Sequence, residues 1–463
     1  MADKFHLQWV LLPRGWTRDV LVTVSAAGMI TGIDAPAAPA APADAERVLG
    51  FVVPGMPNAH SHAFQRALRG RAECRVAARD SFWTWRRAMY GLANRIEPDE
   101  LQLIATQLYI EMLKSGYTSV AEFHYLHGHA GAAASVGANP LWAAVRGAAR
   151  AAGIGLTLLP TLYQSSDFGG RPLRPEQARF AMSSEDFLRA IAACVGAERR
   201  DASSTLRIGA AFHSLRAVPL PALEQTALQL RGIDASMPVH IHVAEQLREV
   251  HACKRATGLR PIEWLLQSGM LCDRWCLVHC THATAQELRG IATSGAAVCV
   301  SISSEANLGD GYFDALGFLA IGGRLCIGSD SQASVAPAEE LRWMEYQQRL
   351  RRKRRSVLAA ADEAHVGTRL WRDSALHGAQ ALGQPIGAIE VGRRADWLVL
   401  DAKHPALAGA GPQAALDHVI FAGADAAIRD TMVAGRWVVR EHRHPAESAL
   451  REPFAELLGR LST

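Results

Sequence analysis

The chain has 463 residues, of which 49% are hydrophobic and 20% charged, and its formal net charge is +4. This length exceeds one ordinary domain and suits a large domain of roughly 250 residues with a smaller unit. The small net charge provides no electrostatic basis for binding nucleic acid or a membrane surface, so we expect a small-molecule partner. Because no apolar stretch reaches about 18 residues and no secretion signal is recognisable, we expect neither membrane insertion nor secretion.

Eight cysteines are scattered between Cys74 and Cys326 without the spacing of a disulfide framework. Several of them fall within apolar runs that are typical of buried strands. Reduced thiols of this kind suit an enzyme of the cytoplasm. We therefore expect a cytoplasmic protein without disulfides.

The beginning of the chain, from Phe5 to about Asp34, contains short apolar runs broken by Gly and Arg. This pattern predicts a small antiparallel sheet. An Ala/Pro-rich segment, residues 35–43, is interpreted as a linker. Beyond it, apolar runs of four to eight residues alternate with segments of helical period, and this alternation predicts parallel strands joined by helices.

Eight of these runs are candidate parallel strands, and eight is the number that closes a (β/α)₈ TIM-like barrel. In chain order they are residues 48–53, 119–123, 155–160, 207–212, 238–243, 275–279, 297–301 and 324–328. We therefore expect an α/β fold built on this barrel. An open, doubly wound sheet is the competing architecture, which a count of strands does not exclude.

From about residue 383 the chain returns to short strands and tight turns, which we interpret as the completing half of the N-terminal sheet. Residues 445–461 have the period of an amphipathic helix. The expected organisation has three parts. Residues 1–50 and 383–443 form a composite β-sandwich domain, residues 51–382 form the barrel, and residues 444–463 form a C-terminal helix packed on the body.

Residues that commonly bind metals follow the candidate strands, at the points where the strands end. His60 and His62 come after the first strand, in an extended segment that turns both imidazoles to one side. His242 lies at the end of the fifth strand, His279 at the end of the sixth, and Asp330 after the eighth. Because the C-terminal ends of barrel strands meet at one face, we expect these side chains to converge there.

Three imidazole nitrogens and one carboxylate, from His60, His62, His242 and Asp330, suit Zn²⁺ or Fe²⁺ and leave room for a water ligand. Each histidine taken singly is also compatible with an ordinary hydrogen-bonded core residue. Agreement between independent strand ends favours a metal site. We therefore predict one Zn²⁺ ion, with Fe²⁺ as the alternative, and we expect this part of the chain to be a metal-dependent catalytic barrel.

The pattern resembles the deaminase branch of the amidohydrolase superfamily. The residues that carry the resemblance are His60, His62, His242, Glu245, His279, Asp330 and the segment 387–397. Many two-metal members of this superfamily bridge their ions with a carboxylated Lys at the end of the fourth strand. This chain has His-Ser-Leu-Arg at residues 213–216, and none of its five Lys is near that position, so a single metal is favoured.

The resemblance implies hydrolytic deamination. The metal would lower the pKa of its water ligand, and Asp330 would accept a proton as the nucleophile forms. Glu245 would deliver protons to the substrate nitrogen so that ammonia leaves. His279 would stabilise charge on the attacking oxygen. For Glu245, a simpler interpretation is a carboxylate at the start of a helix.

Arginines near the predicted site indicate the charge of the substrate. Segments 62–70 and 83–87 are rich in Arg, and Arg216 follows the fourth strand. Guanidinium groups bind carboxylates in a bidentate way and suit them better than neutral rings. We therefore expect a small substrate with carboxylates, although each arginine is also compatible with an ordinary surface position.

Segments 60–70, 82–90, 121–125, 213–216 and 305–311 resemble the formimidoylglutamate deiminase family of histidine degradation. That family hydrolyses the C–N bond of a linear amidine and converts N-formimidoyl-L-glutamate and water to N-formyl-L-glutamate and ammonia. The substrate contacts that the resemblance implies are Gln65, Arg86, Tyr125, His213 and Arg216. It also implies a homodimer. One departure is Ser-Ile-Ser-Ser at residues 301–304, where the family usually has a Pro, and it concerns the path of that loop.

Two other functions remain open at this point. A nucleobase or triazine deaminase of the same superfamily would need an aromatic stacking pocket, which Trp83 and Trp85 would supply. A more distant alternative, from another class of protein, is a non-catalytic barrel that only retains the metal. Ammonia release from formimidoylglutamate, from a nucleobase or from neither distinguishes these three functions.

Overall fold

The computed structural model describes residues 3–35, 43–71, 73–74, 81–128, 139–200 and 204–461. Apart from its two end residues, the predicted linker at 35–43 lies outside these ranges. The strands are β1 (Asp3–Leu12), β2 (Gly15–Val24), β3 (Ile30–Asp34), β4 (Glu46–Pro54), β5 (Met56–Ser61), β6 (Tyr117–His124), β7 (Gly155–Leu162), β8 (Leu206–Ile208), β9 (Ala210–Ser214), β10 (Val239–Val243), β11 (Trp275–His279), β12 (Ala297–Val300), β13 (Arg324–Ile327), β14 (Trp397–Leu400), β15 (Ile428–Val433) and β16 (Arg436–Val439).

The helices lie mainly between the parallel strands and in the C-terminal part of the chain. They are α1 (Phe82–Ala93), α2 (Pro98–Ser115), α3 (Pro140–Ala152), α4 (Ser184–Glu198), α5 (Leu220–Ile233), α6 (Leu247–Thr257), α7 (Pro261–Gln267), α8 (Ala285–Ser294), α9 (Ile302–Leu308), α10 (Ala315–Ala320), α11 (Pro337–Arg352), α12 (Val366–Leu382), α13 (Pro412–Phe421) and α14 (Glu447–Leu461). Among the described residues, none of the helices is both long and apolar enough to cross a bilayer.

Strands β5 to β13 form a parallel barrel in the order β5-β6-β7-β9-β10-β11-β12-β13, with β8 paired to β7. Because β8 and β9 are two pieces of one interrupted strand, the barrel has eight strand positions. It closes between the first and the last position, where the carbonyl of His60 accepts hydrogen bonds from the backbone N–H groups of Ser329 at 2.9 Å and Asp330 at 3.0 Å. The predicted barrel is confirmed, and an open doubly wound sheet is wrong for this chain.

The run 48–53, predicted as the first barrel strand, belongs instead to β4 in the other sheet. Strand β4 pairs in parallel with β1 and antiparallel with β14, and the first barrel strand is β5. Only Gly55 separates the two strands, and a Cβ there would come within 2.4 Å of the Thr118 hydroxyl. Both strands are apolar and buried at this point, so their hydrophobicity does not reveal that the chain passes from one sheet to the other.

The second sheet joins both chain ends in the order β16-β15-β14-β4-β1-β2-β3. It encloses its own apolar core, in which Trp397 packs edge-on against Phe5 with ring centroids 5.4 Å apart. Since β4 belongs to this sheet, we propose that the boundary of the composite domain lies between β4 and β5. Helix α14 packs against α2, where Lys114 pairs with Glu447 at 2.5 Å.

A buried ion pair connects the two sheets beneath the barrel. Arg394 and Asp396 have fully buried side chains, and the Nη2 atom of Arg394 lies 2.6 Å from Oδ2 of Asp396. Arg394 also donates to the hydroxyl of Ser119 on β6 at 2.6 Å, while Asp396 accepts from the backbone N–H of Ala434 at 2.8 Å. These bonds satisfy groups that would otherwise be buried without partners, and they connect the barrel to the strands of the C-terminal end.

We predict that Arg394→Met lowers the free energy of unfolding by about 3–5 kcal/mol, because the carboxylate of Asp396 would remain buried without its partner. Thermal unfolding followed by circular dichroism should show a clear fall in Tm. Arg189→Met is the matched control, since it removes an exposed arginine whose ion pair with Glu185 contributes little, and it should leave Tm nearly unchanged. Equal Tm values for the two variants would contradict this role of Arg394.

Candidate active site

The predicted metal ligands meet at the C-terminal ends of the barrel strands. The Nε2 atoms of His60 and His62 lie 3.2 Å and 3.4 Å from Oδ1 of Asp330. The Nε2 atom of His242 lies 3.1 Å from that of His60 and 3.3 Å from that of His62. All four side chains are buried. The structure therefore brings these four residues together, although β5, β10 and the end of β13 are far apart in sequence.

Hydrogen bonds and burial determine the protonation of the histidines. The Nδ1 atoms of His62 and His242 each donate to a backbone carbonyl at 2.8 Å, which leaves both Nε2 atoms with lone pairs. Burial lowers the pKa of His60 to about 3, and burial also lowers the pKa values of His62 and His242, so all three imidazoles are neutral. Lone pairs and a carboxylate at these separations repel one another unless a cation lies between them, so this donor set fits a metal ion.

His279 lies next to this cluster, and a set with His279 in place of His62 also has its donor atoms within 4.8 Å of one another. Its Nδ1 atom donates to Oε1 of Glu305 at 3.3 Å. Burial disfavours the imidazolium, but the nearby carboxylates, Glu245 first, outweigh burial and raise the pKa of His279 to about 10. A protonated imidazole has no lone pair, so the arrangement favours His62 over His279 as a ligand.

Glu245 follows β10 and lines the same cavity as His279, with 3.9 Å between its Oε1 atom and Nε2 of His279. Burial raises the pKa of Glu245 to about 7, which allows it to hold or release a proton near neutral pH. The simpler interpretation as a carboxylate at a helix start fits Glu249 better, because Oε2 of Glu249 accepts from the backbone N–H of Glu245 at 3.2 Å.

The backbone at two of these positions is strained. His279 has a φ of 73° and Asp330 a φ of 44°, in the left-handed region that non-glycine residues rarely adopt. Tertiary hydrogen bonds hold both turns: the N–H of Cys280 donates to the carbonyl of Val243, and that of Asp330 to the carbonyl of His60. Strain of this kind occurs most often at functional sites, where the surrounding structure maintains it.

The five residues predicted to contact the substrate all line the cavity above the cluster. They are Gln65, Arg86, Tyr125, His213 and Arg216. The side-chain amide of Gln65 donates to the hydroxyl of Tyr125 at 2.9 Å. The Nε and Nη1 atoms of Arg216 are buried without a hydrogen-bond partner among the described residues. Unpaired buried donors of a cation are costly, so this guanidinium is prepared to bind an anion.

Sequence reasoning missed residues that support the site. Glu122 accepts from the hydroxyl of Ser61 at 2.8 Å and the N–H of Ala63 at 2.6 Å, and so holds the segment that carries His60 and His62. A glutamate inside an apolar strand was the available signal for Glu122. Glu305 lies within a segment that resembles the family, but it had received no role.

Further missed residues surround Arg86. Its Nη2 atom donates to the hydroxyl of Tyr163 at 3.4 Å, and its Nε atom donates to the hydroxyl of Tyr90. The side-chain amide of Gln177 donates to both hydroxyls, at 2.7 Å for Tyr163 and 3.2 Å for Tyr90. Tyr163 and Gln177 come from connecting segments, and no motif in the sequence indicates that they meet at this cavity.

Comparison with known proteins finds relatives that match most of the chain. The chain is 49% identical to the formimidoylglutamate deiminase of Pseudomonas aeruginosa over 452 residues, which cover 97% of this chain and 98% of that protein. It is 27% identical to the 8-oxoguanine deaminase of the same species over 396 residues, covering 84% and 82% of the two chains.

A solved structure described as an amidohydrolase from Brucella melitensis superposes with a TM-score of 0.92 at 39% sequence identity and covers 100% of both chains. The sequence profile of the amidohydrolase family matches residues 51–438, which include the barrel strands and every residue of the cluster. The chain therefore belongs to the amidohydrolase family.

Proposed function

We propose that the protein is a formimidoylglutamate deiminase, a hydrolase that converts N-formimidoyl-L-glutamate and water to N-formyl-L-glutamate and ammonia. The observation that carries this proposal is the guanidinium of Arg216, whose Nε and Nη1 atoms have no partner among the described residues, in a cavity also lined by His62, His242 and Asp330. It combines a binding group for a carboxylate with the donors of a hydrolytic metal. The 49% identity to the Pseudomonas aeruginosa enzyme supports the same substrate.

A single Zn²⁺ ion would be held by His60, His62, His242 and Asp330, and Fe²⁺ is the alternative for this donor set. When bound, such an ion lowers the pKa of a water ligand and so supplies a nucleophile near neutral pH. The neutral imidazoles of His60, His62 and His242 and the adjacent carboxylate of Asp330 support cation binding.

The proton transfers are assigned to Glu245 and His279. Water adds to the formimidoyl carbon, so a C–O bond forms and the C=N double bond becomes a single bond. The product C=O bond then forms as the C–N bond breaks and ammonia leaves. Glu245 accepts the two protons of water one after the other and passes each to the departing nitrogen, which its pKa of about 7 allows. His279 remains protonated at this pH and donates a hydrogen bond to the attacking oxygen. Glu305 holds the imidazole from its other nitrogen.

The glutamate part of the substrate would lie against Arg216 and Arg86. Arg216 offers two buried donors, and Arg86 is oriented by its bonds to Tyr90 and Tyr163. The buried side-chain carbonyl oxygen of Gln65 has no partner within the described ranges, so it can accept a hydrogen bond from an N–H group of the amidine. These contacts, with Tyr125 and His213 in the wall, favour an acyclic dicarboxylate.

The alternative of a nucleobase or triazine deaminase requires a ring-stacking surface. Phe82 and Trp85 line the catalytic cavity, whereas Trp83 lines a neighbouring cavity and has the guanidinium of Arg248 4.4 Å from its ring centroid. Trp83 is therefore occupied, which weakens this alternative. The identity to the 8-oxoguanine deaminase is also much lower, at 27%.

We also propose that the protein is located in the cytoplasm, which is a reducing compartment. All eight cysteines are free, and Cys74 is exposed, which suits the cytoplasm. Use in histidine degradation follows from the proposed substrate, and a homodimer is the assembly that the family implies.

We expect the purified protein to release ammonia from N-formimidoyl-L-glutamate and not from guanine, cytosine or adenosine. A chelator should abolish the release, and readdition of Zn²⁺ or Fe²⁺ to the stripped protein should restore it and show which ion serves better. A coupled ammonia assay with metal analysis measures both effects. Release from a nucleobase alone would favour the alternative deaminase, and full activity after complete metal removal would contradict the metal site.

We predict that Glu245→Gln lowers kcat by roughly 10²–10⁴-fold, because the amide cannot carry the proton. The bound metal and Tm should stay near those of the unchanged protein, since Glu245 is outside the proposed ligand set. Glu224→Gln, an exposed position on α5, is the control and should retain full activity. A Glu245→Gln variant with unchanged kcat would instead support a non-catalytic barrel or another proton carrier.

A further inference from the structure

A second cavity of about 320 Å³ adjoins the catalytic cavity. The two cavities share Arg86, Tyr90 and Arg216 in their linings. The remaining lining of the second cavity includes exposed side chains of α1 and α6, such as Arg87 and Arg248. This outer chamber therefore adjoins both the catalytic cavity and the solvent.

The outer chamber is strongly basic. Its lining contains three carboxylates, Asp167, Glu176 and Glu249, against six arginines, which are Arg86, Arg87, Arg174, Arg216, Arg248 and Arg255. Within the part of the chain that the structure describes, none of the four exposed arginines among them, at positions 87, 174, 248 and 255, forms an ion pair. Arginines without counterions around a concave surface concentrate a positive potential there.

Arg248 is held in a defined position at the edge of the outer chamber. Its guanidinium stacks on Trp83 at 4.4 Å, and Arg86 lies 5.4 Å from the same ring, so the indole orients cations of both cavities. Arg248 also lies in the first turn of α6, where a positive charge opposes the helix dipole. Arg255 follows seven residues later on the same face of the helix. The dipole of α6 therefore disfavours a cation at Arg248, and the contact with Trp83 holds its charge at the outer chamber, where it can attract an anion.

We propose that the outer chamber is a capture site for small dicarboxylate anions, which feeds the catalytic cavity through Arg216. The identity of the captured ligand rests on the proposed function, because N-formimidoyl-L-glutamate and N-formyl-L-glutamate both carry two carboxylates. Arg248 and Arg255 attract the anion at the chamber, and Nε and Nη1 of Arg216 then donate hydrogen bonds to a carboxylate deeper inside. Arg248 and Arg255 line the outer chamber and not the catalytic cavity, so they act on entry and not on the chemical step.

Salt dependence separates this role from catalysis. Exposed charges are screened over a distance of about 8 Å at physiological ionic strength, so capture is strongest at low salt. Rates of electrostatically steered entry rise by about 10- to 1000-fold and fall steeply with ionic strength. Loss of the two cations on α6 should therefore lower kcat/KM at low salt and leave kcat almost unchanged.

The test compares Arg248→Gln/Arg255→Gln with the unchanged enzyme from low to high salt. We expect kcat/KM to fall about tenfold at low salt, its dependence on salt to become shallower, and kcat to stay within about twofold. The control is Arg14→Gln/Arg47→Gln, which removes two exposed arginines from the sheet of the chain ends and should change neither quantity. Equal salt dependence in all three proteins, or a large loss of kcat with normal Tm, would overturn the proposal.

Glutarate provides a second measurement that does not require turnover. Calorimetry should show that glutarate binds the unchanged protein and binds the α6 double variant about fivefold or more weakly, while uncharged glutaramide does not bind. If N-formimidoyl-L-glutamate is not hydrolysed but glutarate binding depends on Arg248 and Arg255, the proposed function fails and the capture site stands. Equal glutarate affinity in both proteins contradicts the capture site whatever the substrate is.

Discussion

The closure of the barrel is the constraint on which the site depends. The carbonyl of His60 accepts from the N–H groups of Ser329 and Asp330, and the N–H of His62 donates back to the carbonyl of Asp330 at 3.1 Å. Gly328 permits this approach, because a Cβ there would lie 2.8 Å from both Cβ and O of His60. Without these bonds the first and last strands would not meet, and the carboxylate of Asp330 would not face the histidines.

The residues of the site come from two kinds of element, the barrel strands and the segments that connect them. The proposed metal ligands lie on barrel strands or in the short segments that follow them, and backbone carbonyls determine the tautomers of His62 and His242. The groups that would bind carboxylates come from α1 and from segments after the strands. This division suits an enzyme family in which the hydrolytic centre is constant and the substrate changes, because loops vary without disturbing the barrel.

Much of the fold and of the histidine–aspartate cluster could be predicted because their signals are local. Apolar runs predicted seven of the eight barrel positions, and the residues at the strand ends predicted the histidines and the Asp330 that meet at one face. The error at 48–53 arose because a buried strand has the same apolar sequence pattern whichever sheet it belongs to. Glu122 and Glu305 were missed for a related reason. Each of these buried carboxylates acts through a hydrogen bond, to Ser61 or to His279, and the sequence does not show which residues pair.

The sequence by itself determined the alternation of strands and helices, the residue types at the strand ends and the Arg-rich segments, because each depends on spacing along the chain. Only the tertiary structure decided that Nε2 atoms and a carboxylate lie 3.1–3.4 Å apart and that Arg248 stacks on Trp83 beside the outer chamber. It also decided that two donors of Arg216 have no partner in the part of the chain that the structure describes. These properties are distances and pairings between residues remote in sequence, and they exist only after the barrel has closed.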